Sequence, residues 1–353
     1  MLSKRAQLLI PYTAGEQPKG GYVKLNTNEN AYPPSPAVDK VLSMIDTSKL
    51  RLYPNPNCSK LIQAIANLEG VAPQNIFVGN GSDEVLGFAF MALFDDSVAY
   101  PAVGYSFYPV YADLWGLKKI PLAMQENLSF CLSDKNIKAS GGLVLANPNA
   151  PTSLSITDSD LKAFIGSYNK NIIVDEAYID FATKTKSLAS FIQEAKNLLV
   201  VKTFSKSYSL AGLRVGYAIG SSELITGLNI IKNSFNSYTI DYIAQNAAIA
   251  AVKDRKYFDN NIAKIIKTRS TVSKKLKDLG HSVLDSDANF LFIKHKSVSG
   301  YEVYSRLKQQ KILVRHFGSN AQTTPYVRVT IGTDADMDKF LEAFDTLDVK
   351  ISS

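Results

Sequence analysis

A chain of 353 residues that is 46% hydrophobic and 20% charged has the balance of a globular protein and the length for one large and one smaller domain. No apolar run reaches the roughly 20 residues of a membrane span, and residues 1–10 lack a sustained apolar stretch and a small-residue cleavage site, which argues against a secretory signal and makes the cytoplasm the expected compartment. The net charge of +7 comes from scattered basic residues; its densest cluster, Lys264, Lys267, Lys274, Lys275 and Lys277, follows a helical pattern and reads as a solvated face, not a nucleic-acid surface.

Cys58 and Cys131 stand apart, and His281, His295 and His316 make no i,i+4 pair, so no metal site is expected. The first 36 residues, with Tyr12, the run Lys24-Leu25-Asn26-Thr27-Asn28-Glu29-Asn30 and then Tyr32-Pro33-Pro34-Ser35-Pro36, are rich in turn formers and read as an extended arm. Arg51-Leu52-Tyr53-Pro54-Asn55-Pro56 is a loop in which proline fixes the chain after Tyr53.

Ile76-Phe77-Val78 predicts a strand, Gly79-Asn80-Gly81-Ser82-Asp83-Glu84 a turn, and the spacing of Val85, Phe88, Ala89, Ala92 and Leu93 a helix. A strand, a glycine turn and a helix start present free amides and the positive end of a dipole to an anion. An ordinary cap by Ser82 or Asp83 fits the spacing equally well. After the strand Val98-Ala99-Tyr100, the aromatic cluster Tyr105, Phe107 and Tyr108 has the composition of core or subunit contact. The strand Leu143-Val144-Leu145-Ala146 runs into Asn147-Pro148-Asn149-Ala150-Pro151-Thr152-Ser153. Ile172-Ile173-Val174 leads to Asp175-Glu176-Ala177-Tyr178. An acid at the end of a buried strand carries a desolvation penalty unless a cation faces it. Capping of the following helix is a plain alternative for Glu176 and a weaker one for Asp175.

The strand Leu198-Leu199-Val200-Val201 opens the most informative stretch, residues 203–217, Thr-Phe-Ser-Lys-Ser-Tyr-Ser-Leu-Ala-Gly-Leu-Arg-Val-Gly-Tyr. Lys206 sits among small residues at the end of a buried strand, and a lysine amine serves as a nucleophile only when desolvated or held near another cation. Arg214, eight residues on, supplies either that cation or a fork for a phosphate. A Schiff-base lysine beside a phosphate anchor suggests pyridoxal phosphate; a bare Ser-Lys would more often be a capped strand end. Beyond the strand Ala218-Ile219, a helical pattern fills 241–279. Strands at 290–293, 312–315 and 326–331 then alternate with helices at 301–309 and 336–347, and place Arg315 and Arg328 on apolar strands.

The stretch around Lys206 resembles the cofactor-attachment signature of the fold-type I aminotransferases. The Asn-rich arm, Gly-Asn-Gly-Ser-Asp-Glu and Val-Arg-Val-Thr-Ile-Gly-Thr are similar to motifs of the histidinol-phosphate aminotransferases, and together these matches run from Pro11 to Gly332. The resemblance implies an α/β fold with a mostly parallel, doubly wound sheet in a large domain (33–257), and a smaller α/β domain (258–353) joined by the arm (1–32). It implies that Lys206 carries the cofactor and acts as general base. It further implies that Gly81, Ser82, Asp83, Ser205 and Arg214 hold the cofactor phosphate, helped by Tyr53 of the neighbouring subunit of a homodimer. Tyr105 would stack on the ring, Asp175 face its nitrogen and Tyr178 bond its phenolic oxygen. Arg328, Arg315, Tyr12 and Asn28 would meet the substrate. The sequence departs from the wider pattern at Ala150, where an asparagine is usual, and at Ser153 and Gly104; Asn149 is the candidate to replace the missing amide. The implied reaction exchanges an amino group between a phosphorylated amine, histidinol phosphate, and the 2-oxo acid 2-oxoglutarate. The same scaffold also serves aromatic transamination, decarboxylation of phosphothreonine and, more remotely, ligand sensing.

Overall fold

The apolar runs around residues 76–220 are short and uniformly hydrophobic, a pattern for strands buried on both faces. The structure, a computed structural model, describes residues 1–318 and 320–348. After a two-residue strand in the arm, β1 (Val23–Lys24), those runs become β2 (Ile76–Asn80), β3 (Ser97–Pro101), β4 (Lys118–Leu122), β5 (Leu143–Ala146), β6 (Ile172–Asp175), β7 (Leu198–Thr203) and β8 (Val215–Gly220). They form one seven-stranded sheet in the order β2-β8-β7-β6-β5-β3-β4. Only β8 runs against its neighbours; β3, β4, β5, β6 and β7 are parallel.

That single reversal matters for the site. The carboxyl ends of β2, β3, β5, β6 and β7 share one edge of the sheet, and β8 enters the sheet at the same edge by its first residues. Asn80, Pro101, Ala146, Asp175 and Thr203 therefore end at one level, with Arg214 immediately preceding Val215 beside them. In doubly wound sheets this edge is where ligands bind.

The remaining strands are β9 (Ser282–Val283), β10 (Phe290–Lys294), β11 (Ile312–Leu313), β12 (Arg315–His316) and β13 (Tyr326–Thr330). A four-stranded sheet runs β12-β13-β10-β9, while β11 pairs in parallel with β1. The single strand expected over 312–315 thus divides at Val314 and serves two sheets, because the arm supplies a partner the sequence pattern does not reveal. The helical stretch expected over 241–279 also divides, into Tyr242–Lys253 and Arg255–Asp278. At the break Asp254 caps the second helix through Tyr257 N at 3.3 Å and accepts a hydrogen bond from Ser35. The arm, expected to be extended, carries the helix Lys4–Leu8 as well as β1. The five lysines of the basic cluster all lie exposed on Arg255–Asp278. Residues 349–353 of the expected small domain lie outside the described residues.

Beneath the functional edge, Lys202 of β7 is buried. Its Nζ lies 2.8 Å from Glu69 Oε1, which also accepts from Tyr217 OH at 2.6 Å. Burial alone would lower the Lys202 ammonium, but Glu69, Asp180 and Glu176 outweigh it and hold it above its ordinary value. Lys202→Ala would leave Glu69 and Glu176 buried without their cation, and urea denaturation should register a loss of about 3–5 kcal/mol.

Candidate active site

The sheet edge and the 203–214 segment enclose a cavity of about 210 Å³, lined among others by Thr27, Glu29, Ser82, Asp83, Tyr105, Ala150, Asp175, Tyr178, Ser205, Lys206 and Arg214. These residues come from six separate stretches of chain, and most are ones that the sequence singles out.

Lys206 stands beyond the end of β7, after Phe204 and Ser205, and its Nζ donates to Thr27 O at 3.1 Å. Burial, reinforced by the charge of Arg328, pulls its ammonium down to about 8, against the opposing pull of Asp83 and Glu29. Asn30 holds the main chain in place, its Nδ2 donating to Lys206 O at 2.9 Å and Ser207 O at 3.2 Å. Ser207 Oγ donates to Asp180 at 2.6 Å.

On one side the helix Gly81–Leu93 opens toward the cavity with no side-chain cap, and neither Ser82 nor Asp83 closes it. Its first turn contributes Ser82 and Asp83 to the lining. Gly81 has φ +78°, and a Cβ there would stand 2.4 Å from Arg214 Nη2. A Cβ on Gly216 would stand 2.3 Å from the Ser82 amide nitrogen. The two glycines let the helix start, β8 and the guanidinium close on one another. Arg214 Nη2 lies 2.9 Å from Asp83 Oδ2, and its Nη1 reaches Ser205 Oγ at 3.3 Å. Open amides, a hydroxyl and a guanidinium thus converge on one point, the donor set of a phosphate site.

Across the cavity Asp175, 4% exposed at the end of β6, is raised to about 6 by burial, against the hydrogen bonds it accepts from Ala177 N and Tyr108 OH, both 3.1 Å. Tyr105 OH donates to Asp83 Oδ1 at 2.7 Å, which fixes its ring on the cavity wall. Tyr178 OH accepts from Asn28 Nδ2 at 3.0 Å.

Arg328 on β13 lies directly opposite Arg315 on β12. Its Nη2 donates to Asn26 O at 2.9 Å, its guanidinium sits 5.3 Å and 5.4 Å from the ring centres of Phe290 and Phe317, and its Nε is buried with no partner among the described residues. Burial, with Arg315 adding to it, lowers its ordinary value. Phe290 meets Tyr178 edge to face at 5.1 Å, linking this arginine pair to the cavity.

Two expectations need correction. Asn149 does not take the place of an asparagine at Ala150. Both its amide hydrogens are engaged, by Val103 O at 3.0 Å and Thr152 Oγ1 at 2.9 Å, and it lines a neighbouring cavity instead. Asn28 is 1% exposed and sits behind Tyr178, with Thr330 bonding its backbone N and side chain, so it supports the tyrosine and does not face the cavity. Tyr12 stacks on Phe107 at 4.4 Å, outside the lining. Tyr53 is 81% exposed and stacks on Tyr238 at 4.5 Å, away from this chain's cavity. Sequence reading missed Tyr108, Asn30, Thr27 and Glu29. The Tyr105-x-x-Tyr108 spacing was a signal for the first, and the Asn-rich run for the others.

The fold and this edge define a protein of the aminotransferase kind. The chain belongs to the family aminotransferase class I and II, whose family model matches residues 21–344. It is 49% identical over 346 residues to a histidinol-phosphate aminotransferase of Brachyspira hyodysenteriae, covering 97% of each chain. It is 47% identical over 345 residues to one of Clostridium acetobutylicum, covering 96% of this chain and 97% of that one. Among solved structures, the histidinol-phosphate aminotransferase of Sinorhizobium meliloti in complex with pyridoxal-5'-phosphate superposes with a TM-score of 0.88, at 22% identity and with 98% of each chain covered.

An amine lowered to about 8 is neutral over a pH range in which surface lysines, near 10.4, stay charged. Trapping of Lys206 by a small aldehyde and borohydride, read by peptide mass spectrometry, should rise with pH and level off above about pH 8, while surface lysines continue to gain reactivity to about pH 10.

Proposed function

We propose that the chain is a pyridoxal-phosphate-dependent aminotransferase that moves an amino group between histidinol phosphate and 2-oxoglutarate, giving imidazole-acetol phosphate and glutamate. The residues fit this cofactor. The amides of Gly81, Ser82 and Asp83 with Ser205 and Arg214 would hold its phosphate, Tyr105 would cover one face of the ring, Asp175 would face the ring nitrogen, and Tyr178 would bond the phenolic oxygen. Ala150 leaves that oxygen without the usual amide. When bound, the cofactor supplies an aldehyde and an electron-withdrawing ring that store the amino group between the two half-reactions.

Lys206 would tether the cofactor until a substrate amine displaces it. Its freed Nζ, kept from water and largely neutral above about pH 8, can then take the proton from the substrate α-carbon and return it on the other side of the exchange. The buried, partly raised Asp175 gains most from a cation opposite it, which suits a protonated ring nitrogen.

The observation that carries the substrate reading is the arginine pair. Two guanidinium groups directly opposite on neighbouring strands repel unless an anion lies between them, and Arg328 keeps an unpaired buried Nε. Histidinol phosphate brings a phosphate and glutamate brings carboxylates, so one fixed fork can serve both in turn. The division into domains of 33–257 and of 1–32 with 258–353 belongs to the same proposal, supported by β1 of the arm pairing with β11. So does a cytoplasmic homodimer in which Tyr53 completes the phosphate site of the other subunit, supported by its outward exposure.

The direct test mixes the cofactor-loaded protein with histidinol phosphate and 2-oxoglutarate and measures glutamate. Preferred turnover of aromatic amino acids, or carbon dioxide release from phosphothreonine, would replace the reading. Arg328→Ala should lower kcat/KM for both substrates by about a hundredfold or more, the equivalent of about 3–5 kcal/mol for an anion left opposite a missing cation, with the cofactor absorbance unchanged. Arg328→Lys should recover only part, since a point charge does not reproduce the fork.

A further inference from the structure

The loop that carries Tyr53 has no helix or strand of its own between Arg51 and Ser59, yet it is held firmly from behind. Gln245 Nε2 donates to Asn55 O at 3.2 Å, and Lys232 Nζ donates to Pro56 O at 3.0 Å. Lys232 stands in the last turn of the helix Ser222–Phe235 and is only 4% exposed. Lysine is almost never so buried unless it is paired. Lys232 nevertheless forms no salt bridge among the described residues, and the Pro56 carbonyl is the one hydrogen bond recorded for its ammonium. It is not part of the Lys206 cavity lining. A buried ammonium whose recorded partner is one loop carbonyl would cost stability without a return unless the position of that loop matters.

The same lysine reaches toward the phosphate site. Its charge acts on the half-buried carboxylate of Glu84, whose Oε2 accepts from Asn80 N at 2.6 Å at the start of the helix Gly81–Leu93. Asn80 Nδ2 in turn donates to Thr239 O at 3.1 Å, next to Tyr238, on which Tyr53 stacks. The Tyr53 loop and this chain's own phosphate-binding helix therefore rest on one frame, with Lys232 between them.

We propose that Lys232 is a positioning residue for the cofactor site of the partner subunit: by gripping the Pro56 carbonyl it sets the place at which Tyr53 is presented across the dimer. This rests on the reading of Tyr53 given above as a residue that completes the other subunit's site. It differs from a role in core stability, because the grip of Lys232 on the loop is then felt by the partner's cofactor site through Tyr53.

A double-mutant cycle on the full-length dimer tests it. Cofactor is removed, and its affinity for the wild type, Lys232→Met, Tyr53→Phe and the double variant is measured by titration against the quenching of Trp115 fluorescence. The methionine keeps the apolar stem and removes the donor, and the phenylalanine keeps the stack on Tyr238 and removes the hydroxyl. Each single variant should bind the cofactor about tenfold more weakly, the loss of roughly one charge-assisted hydrogen bond. The double variant should be no worse than about tenfold, because both changes remove the same contact. Hydrogen exchange in the cofactor-free protein should rise across residues 52–60 in Lys232→Met and stay unchanged in Tyr53→Phe. Losses that multiply to about a hundredfold in the double variant would overturn the proposal, as would unchanged affinity in Lys232→Met while Tyr53→Phe binds weakly. If Tyr53→Phe itself binds normally, the reading of Tyr53 falls and takes this proposal with it. Should Lys232→Met fail to fold, Lys232→Leu, which likewise removes the donor, enters the same cycle with the same outcomes.

Discussion

The arrangement depends on an amine kept out of water. Among the described residues Lys206 has one carbonyl partner and no carboxylate within salt-bridge distance, and a guanidinium charge opposes its own, so it is held to about 8. A lysine that could find a close anion would stay charged, as Lys202 does within β7, 2.8 Å from Glu69. The two lysines emerge from one buried segment with opposite fates. Glu69 and Glu176 stabilise the charged form of Lys202 beneath the sheet edge, whereas the edge itself offers Lys206 only partial compensation from Asp83 and Glu29.

Charge around that amine is separated by element. The helix Gly81–Leu93, Ser205 and Arg214 gather positive character on one side; Asp175, with Tyr108 and Ala177 donating to it, holds negative character across the cavity; Arg315 and Arg328 bring a second positive site from the smaller sheet. Asp83 ties the first of these together, since its carboxylate accepts from Tyr105 and pairs with Arg214 while Tyr111 OH donates to its carbonyl at 2.8 Å. A ligand with a phosphate at one end and a protonated ring nitrogen at the other would find complementary groups at both ends, and under the function proposed above an anionic substrate would find the arginines.

The parts legible in sequence were those in which chemistry and spacing lie on one short stretch. Residues 203–217 reveal a lysine, a hydroxyl and an arginine because β7, the turn and β8 are consecutive, and Gly-Asn-Gly-Ser-Asp-Glu reveals a helix start for the same reason. What stayed hidden depends on chain segments meeting from a distance. Asn30 fixes the backbone of Lys206 across 176 residues of sequence, and Tyr108 finds Asp175 across 67. Asn149 was misread because its neighbour's identity suggested a vacancy to fill, whereas the turn directs its amide to Val103 and Thr152. The strand over 312–315 was misread for a related reason: pattern identifies an apolar run but not which of two sheets will pair with each half of it.

The arm is where these levels meet. It pairs as β1 with β11, and its Asn26 O receives Arg328 Nη2. Its Thr27 O receives Lys206 Nζ, its Asn28 Nδ2 supports Tyr178 OH, and its Asn30 holds the lysine backbone. Five alternate functions on eight consecutive residues require an irregular backbone, and Asn28 accordingly has φ +55°, a conformation that asparagine tolerates better than most side chains. Neither a helix nor a strand would turn carbonyls and amides toward both sheets at once. The asparagine-rich composition that reads as a mere turn in the sequence is therefore the means by which Arg328 and Lys206 are held in one geometry.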